Sequence, residues 1–295
     1  MELILSLAHL PVGVNAYDDA LELASLADDA GVDVLSLTDH VLLGPNLDSH
    51  AALGALFPWP PDHPYPDPLV LLAGMAAVTS RVRLTTGVLI APLRPAALLA
   101  KMAATLDVLS KGRFELGVGS GWQREEFEAV GVPMAERAAR TEDAVVACRA
   151  LWSEDAATVT RPSVTFADMR CRPQPFRARR LPVWFAGGAN RATARRVAEL
   201  GDGWLPLHSD VETLHHGRAL LDEACHRVGR DPSEVGVRVM IPGPVDPSDP
   251  GAHERLLLLR QAGVTGVSVL LAGQPGDRGA DVVEALVDLL ARVAR

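Results

Sequence analysis

Basic charge, paired cysteines and long apolar runs are scarce in this 295-residue chain, and each scarcity removes a class of function. Lysine and arginine together number 28 against 37 acidic residues, a net charge of −9. That balance argues against a nucleic-acid partner, which needs a basic face to neutralise phosphates. Cys148, Cys171 and Cys225 are far apart and form no CxxC, so neither a disulfide framework nor a zinc knuckle is indicated. No HExxH is present, and His215 and His216 are adjacent and so face different sides of a helix. No metal site is expected. No apolar run is long enough to span a membrane, and the start at Met1-Glu2-Leu3 lacks the basic n-region of a signal peptide. The expectation is a soluble, cytoplasmic protein acting on a small molecule.

What is abundant is strand followed by helix. Leu3–Leu7 is a short apolar run that leads through Pro11 and Gly13 to a helix with Tyr17, Ala20, Leu21, Ala24 and Ala27 on one stripe. A glycine then ends the helix at Gly31 before a second strand, and the same junction recurs at Gly201 and Gly263. Apolar runs at 3–7, 33–38, 82–90, 113–118, 183–187, 202–206, 236–241 and 266–271 predict eight strands separated by helices. That pattern fits an α/β fold, a closed (β/α)8 TIM barrel, read as one domain over 1–295.

Two segments exceed the minimal unit. Residues 44–68 combine seven prolines with Phe57, Trp59 and Tyr65. Proline at that density excludes regular structure, and the aromatics point to an ordered lid over a pocket. Residues 157–182 contain a predicted hairpin, Thr158–Thr160 and Val164–Phe166 around Arg161-Pro162-Ser163, outside the barrel core.

In this architecture chemistry sits at the carboxyl ends of the strands. His9 follows strand one, and Asp39-His40 ends strand two. A histidine at such a rim can move a proton, although a histidine that anchors a loop would look the same. Gly119-Ser120-Gly121-Trp122 ends strand four, where a turn with almost no side chains lets backbone approach a flat or anionic ligand. Ala186-Gly187-Gly188-Ala189-Asn190 ends strand five, with Asn190 as N-cap and Arg191, Arg195 and Arg196 on the helix behind it. Helix amides with arginine nearby form a seat for an anion such as phosphate. These two glycine turns belong to neighbouring strands, so one ligand could touch both. A dinucleotide fingerprint is not met, because Trp122 stands where the last glycine of GxGxxG is needed.

Residues 106–122, with Glu126-Phe127 and Gly131-Val132-Pro133 after them, closely resemble the luciferase-like monooxygenase superfamily, and in particular its coenzyme F420-dependent branch. Leu37–His40, Thr85–Leu89, Leu93-Arg94, Pro182–Gly188 and Gly201–Trp204 support the resemblance. It implies a barrel holding a deazaflavin or flavin at its mouth, commonly in a homodimer. A non-proline cis peptide would fall at Gly87-Val88 behind the ring. Asp39, Ser120 and Gly121 would line the ring and its ribityl chain. Ala186–Asn190 would take the phosphate, and His40 would lie by the reacting carbon, with His9, Trp59 and Trp122 on the substrate side. The chain departs from deazaflavin-dependent sugar-phosphate dehydrogenases at Trp122, where they carry a glutamate, so their substrate does not transfer. The resulting expectation is an F420-dependent oxidoreductase that passes a hydride to or from a small organic substrate. The alternative is an FMN-dependent monooxygenase.

Overall fold

The structure, a computed structural model, describes residues 1–7, 16–48, 50, 62–176, 180–270 and 277–294. In chain order the strands are β1 (Glu2–Ser6), β2 (Val34–Leu37), β3 (Arg83–Thr86), β4 (Leu89–Ile90), β5 (Phe114–Gly119), β6 (Ala157–Arg161), β7 (Val164–Met169), β8 (Val183–Gly187), β9 (Gly203–Pro206), β10 (Gly236–Pro244) and β11 (Gly266–Leu270). The helices are α1 (Ala16–Ala30), α2 (Pro68–Val78), α3 (Ala96–Leu109), α4 (Arg124–Ala129), α5 (Arg137–Ser153), α6 (Arg191–Leu200), α7 (Val211–Arg227), α8 (Pro250–Gln261) and α9 (Asp277–Ala294).

Parallel pairing runs β1-β2-β3-β5-β8-β9-β10-β11 and returns to β1, a closed eight-strand barrel. Strand residues alternate between two environments, as a period of two requires. Leu3, Leu5, Leu35, Leu84, Phe114, Leu116, Val183, Phe185, Val237 and Val267 face outward and pack with Ala20, Leu72, Leu99, Val145, Val197 and Leu286 of the helices. The main apolar core is therefore the ring between sheet and helices.

The barrel interior is built differently at its amino end. Arg238 donates to Glu2 (Nε–Oε2, 2.8 Å) and to Glu115, and Arg83 bridges Glu115 (2.5 Å) and Glu2 (2.7 Å). Bonds between β10 and β5, which are not neighbours, can only cross the lumen. The Arg238 guanidinium also lies 3.7 Å from the Trp184 ring centroid. Room for that indole comes from Gly203 and Gly236, where a Cβ would collide with its ring. Four mutually compensating charges and one indole seal this end.

Strand three differs from its prediction as one run over 82–90. It forms two pieces, β3 and β4, separated by a cis peptide at Gly87-Val88. β3 pairs Thr85 with Glu115, whereas β4 pairs Leu89 with Val118. Four steps on strand three therefore match three on β5, which is a bulge of one residue. The Thr86 hydroxyl bridges the irregularity, donating to the Gly117 carbonyl (2.6 Å) and accepting from its amide (3.0 Å).

The three glycine junctions also separate. Gly31 and Gly263 are left-handed at φ +88° and +83°, but Gly201 is at φ −94°. Gly201 is small for a different reason, since a Cβ there would lie 3.0 Å from the Phe185 ring. On α1, Ala20, Ala24 and Ala27 are buried as the stripe predicts, while Tyr17 is exposed. The predicted hairpin is present as antiparallel β6 and β7. Asp143 of α5 holds it, accepting from Arg161 Nε (2.8 Å) and from the amide and hydroxyl of Ser163.

Candidate active site

The carboxyl end of β2 passes directly into Asp39 and His40, both buried. Asp39 is fully engaged behind the bulge of strand three. It accepts from the Ile90 amide (2.8 Å) and, with both oxygens, from the Arg94 guanidinium (2.5 and 2.9 Å). Arg94 reaches on to Asp67, the N-cap of α2 (2.9 Å). A chain of charges thus ties the end of β2 to the end of strand three and to the helix that follows the 44–68 segment. Burial acts to lower the Arg94 pKa, but its bonds to Asp39 and Asp67 outweigh that, and the net direction is up.

His40 is only 8% exposed, and its Nδ1 lies 3.2 Å from Oε2 of Glu126. The other oxygen of Glu126 accepts from the amides of Val41 (2.6 Å) and Leu42 (3.4 Å). Edge-on rings of Tyr65 (4.9 Å between centroids) and Trp122 (5.5 Å) flank the imidazole. Trp122 in turn meets His50 edge-on at 5.0 Å. Gln123, fully buried, grips the next stretch of chain through Gly44 (2.7 and 3.0 Å) and Asn46 (3.3 Å).

Glu126 and Gln123 are the residues that the motif reading missed as site members. The signal was available: Phe127 is an obvious core anchor of α4, and Gln123 and Glu126 share its helical face. Their partners lie 79 and 86 residues earlier in the chain, so nothing local names them.

The two glycine turns are side by side, as their strands predict. β5 and β8 pair Val118 with Phe185, and a Cβ on Gly119 would lie 3.9 Å from that of Ala186. It would also meet Val88 at 2.5 Å. Gly121 is left-handed at φ +74°, and a side chain there would strike Phe127 at 2.8 Å and Ile90 at 2.7 Å. Ser120 accepts from the Thr141 hydroxyl at 3.4 Å. At the other turn, Asn190 caps α6 through the Thr193 amide (3.0 Å), and the Trp204 indole donates to the Gly187 carbonyl (2.9 Å).

The arginines of α6 do not join that turn. Arg195 and Arg196 both bind Glu142 of α5, and Arg191 binds Glu223 of α7. A seat for an anion here would consist of backbone amides and the capped helix start, not of guanidinium groups. This corrects the sequence expectation: each arginine has a nearer carboxylate on a neighbouring helix, and pairs with it. His9 and Trp59, expected on the substrate side, lie outside the described residues, as do 49 and 51–61 of the expected lid. Among the described residues, no group of three or more His, Cys, Asp or Glu is placed to hold a metal ion. No described helix is long and apolar enough to cross a membrane.

Several known proteins are similar to this chain. An uncharacterized protein of Mycobacterium tuberculosis (strain ATCC 25618 / H37Rv) is 34% identical over 225 residues, covering 76% of this chain and 75% of its own. An F420-dependent secondary alcohol dehydrogenase, solved with an F420-acetone adduct, superposes with a TM-score of 0.78 at 19% identity over 98% of each chain. The oxygenating component of a Pseudomonas putida 3,6-diketocamphane monooxygenase, solved with FMN, superposes with a TM-score of 0.76 at 15% identity over 99% of this chain and 98% of its own. At such identities these structures speak for the fold alone, and they hold two different coenzymes. The family profile described as luciferase-like monooxygenase matches residues 3–268, nearly the whole barrel, and the chain belongs to that family.

Proposed function

We propose that the protein is a coenzyme F420-dependent oxidoreductase that moves a hydride between the deazaflavin and a small organic substrate, with His40 handling the accompanying proton. The observation that carries this reading is the setting of His40: a buried imidazole at a strand's carboxyl end, fixed by Glu126 and walled by Tyr65 and Trp122. Interconversion of a hydroxyl and a carbonyl moves one proton with each hydride, and imidazole can do so near neutral pH.

The residues present fit a planar coenzyme with an anionic tail. Gly87, Val88, Ser120, Gly121 and Ala186–Ala189 are half-buried, carry no charge, and include no side chain larger than valine. Gly87, Val88, Ser120 and Gly121 would accommodate the ring, with Asp39 holding the bulge behind it. Ala186, Gly187, Gly188, Ala189 and Asn190 would take the phosphate of the tail at the start of α6. When bound, the deazaflavin would supply a carbon centre that gives or receives a hydride as one electron pair. The protein's part is to orient both molecules and exclude water, for which Tyr65, Trp122 and the segment over 44–68, with Trp59, are the candidates. His9 would border the same space. Assembly as a homodimer in the cytoplasm belongs to this reading.

FMN is the competing coenzyme, favoured by the FMN-bound neighbour of the same fold. Titration of the purified protein with F420 and with FMN, followed by absorbance and fluorescence, separates the two. F420 is expected to bind and to exchange a hydride with a panel of small alcohols and ketones. The variant His40→Asn is expected to keep coenzyme binding and to lose about 10²–10⁴-fold in kcat. Tight FMN binding with NADH-driven oxygen uptake would reverse the assignment. Size-exclusion chromatography with light scattering tests the dimer.

A further inference from the structure

We infer that Glu126 is the positioning residue of His40, holding the imidazole in the tautomer with its proton on Nδ1 and its lone pair on Nε2. The inference rests on the function proposed above for His40, and adds which nitrogen does the work and what kind of substrate it suits.

A carboxylate is an acceptor only, so the nitrogen that faces it must be the donor. Glu126 is 1% exposed, and its Oε2 stands 3.2 Å from His40 Nδ1. Its Oε1 is committed elsewhere, to the amides of Val41 and Leu42. The carboxylate cannot swing without abandoning two backbone donors, and the ring is held between the edges of Tyr65 and Trp122. The tautomer is therefore imposed by bonds that belong to the fold. A neutral imidazole with its lone pair on Nε2 is a proton acceptor on the side away from Glu126. With a coenzyme bound, such an acceptor would suit a hydroxyl-bearing substrate: Nε2 would take the hydroxyl proton as the hydride on the same carbon left for the coenzyme, leaving a carbonyl compound. The imidazolium so formed keeps both ring protons, one of them facing the Glu126 carboxylate, which stabilises the charge. In the reverse direction the same Nε2 proton returns to the carbonyl oxygen.

Glutamine at this position separates positioning from mere structure. In Glu126→Gln the amide oxygen must face the Val41 and Leu42 amides, because the NH2 group would oppose two donors. The NH2 group is then forced towards His40 Nδ1, which must become the acceptor, and the tautomer reverses. Histidine 15N NMR on the coenzyme-free protein reads this directly, with His40 assigned from the spectrum of His40→Asn. The expected result is protonated Nδ1 with bare Nε2 in the wild type, and the opposite in Glu126→Gln. In the loaded enzyme the same variant should lose at least about 10²-fold in kcat for alcohol oxidation with coenzyme affinity unchanged. A wild-type ring protonated on Nε2 when neutral, or the same tautomer in both proteins, overturns the inference. Because the NMR experiment needs no coenzyme, failure of F420 to bind would sink the proposed function without touching this result.

Discussion

Asp28, near the end of α1, gathers four hydrogen bonds from the segment that enters β3. Its Oδ2 accepts from the amide (2.7 Å) and hydroxyl of Ser80, and its Oδ1 from the amides of Arg81 (2.9 Å) and Val82 (2.6 Å). Burial tends to raise its pKa, yet the donors of Ser80, Val82 and Arg81 outweigh that and hold it below 3.8. A folded-state value depressed below the unfolded one contributes stability that is complete above the unfolded value and disappears as pH falls through the folded one. Asp28→Asn, which turns an NH2 group towards these donors, is expected to cost about 1–3 kcal/mol at neutral pH. The gap to the wild type should narrow below about pH 4, and urea unfolding at both ends of that window measures it. The same side-chain scale shows where sequence reading works and where it stops. The placement of Asp39, His40 and the two glycine turns at the barrel rim was legible because each ends an apolar run. The partnership of Glu126 with His40 was not, since Glu125, Glu126 and Glu128 look alike in the chain until Phe127 is placed in the core.

Elements carry the next level of specificity. The hairpin of β6 and β7 was legible from turn residues between two β-branched runs. Its attachment was not, because Asp143 sits inside a helix and gives no local sign that it will bind Arg161 and Ser163. Asp143 is 3% exposed and its pKa is lowered, burial opposing and the bonds from Ser163 and Arg161 prevailing. Removing it in Asp143→Ala should loosen the hairpin alone. Hydrogen exchange is expected to accelerate by about tenfold or more for amides of 157–169, at a local cost of about 1–3 kcal/mol. Amides of β5 and β8 should keep their protection. Equal acceleration in both regions would mean that the hairpin is part of the barrel's cooperative unit. The division of strand three could not be read from its β-favouring run Thr85–Ile90, in which Gly87 is the one interruption, but the resemblance placed a cis peptide at Gly87-Val88, and the structure has it there.

For the whole molecule, eight strands could be counted in the sequence, but closure could not be read there, since it is made by pairs such as β1 with β11. The interior charges were hidden as well. Glu2, Arg83 and Glu115 stand at or next to the first residue of their strands, and Arg238 three residues into β10, where a linear reading treats charge as a solvent-facing flank. Closure turns all four into the lumen. Replacing Arg238 by methionine would leave Glu2 and Glu115 with one cation between them, in a space that holds no water-facing exit for Glu115, 5% exposed. Arg238→Met is therefore expected to lose about 3–5 kcal/mol, a large part of the stability of a folded domain, read as a lowered denaturation midpoint.

That sealed floor has a kinetic corollary. With the far end filled by Glu2, Arg83, Glu115, Arg238 and Trp184, both reactants of the proposed enzyme would have to use the one entrance at the strands' carboxyl ends. If the function proposed above holds, initial-rate patterns with coenzyme and substrate should be sequential, not ping-pong, since direct hydride transfer needs both at that entrance together.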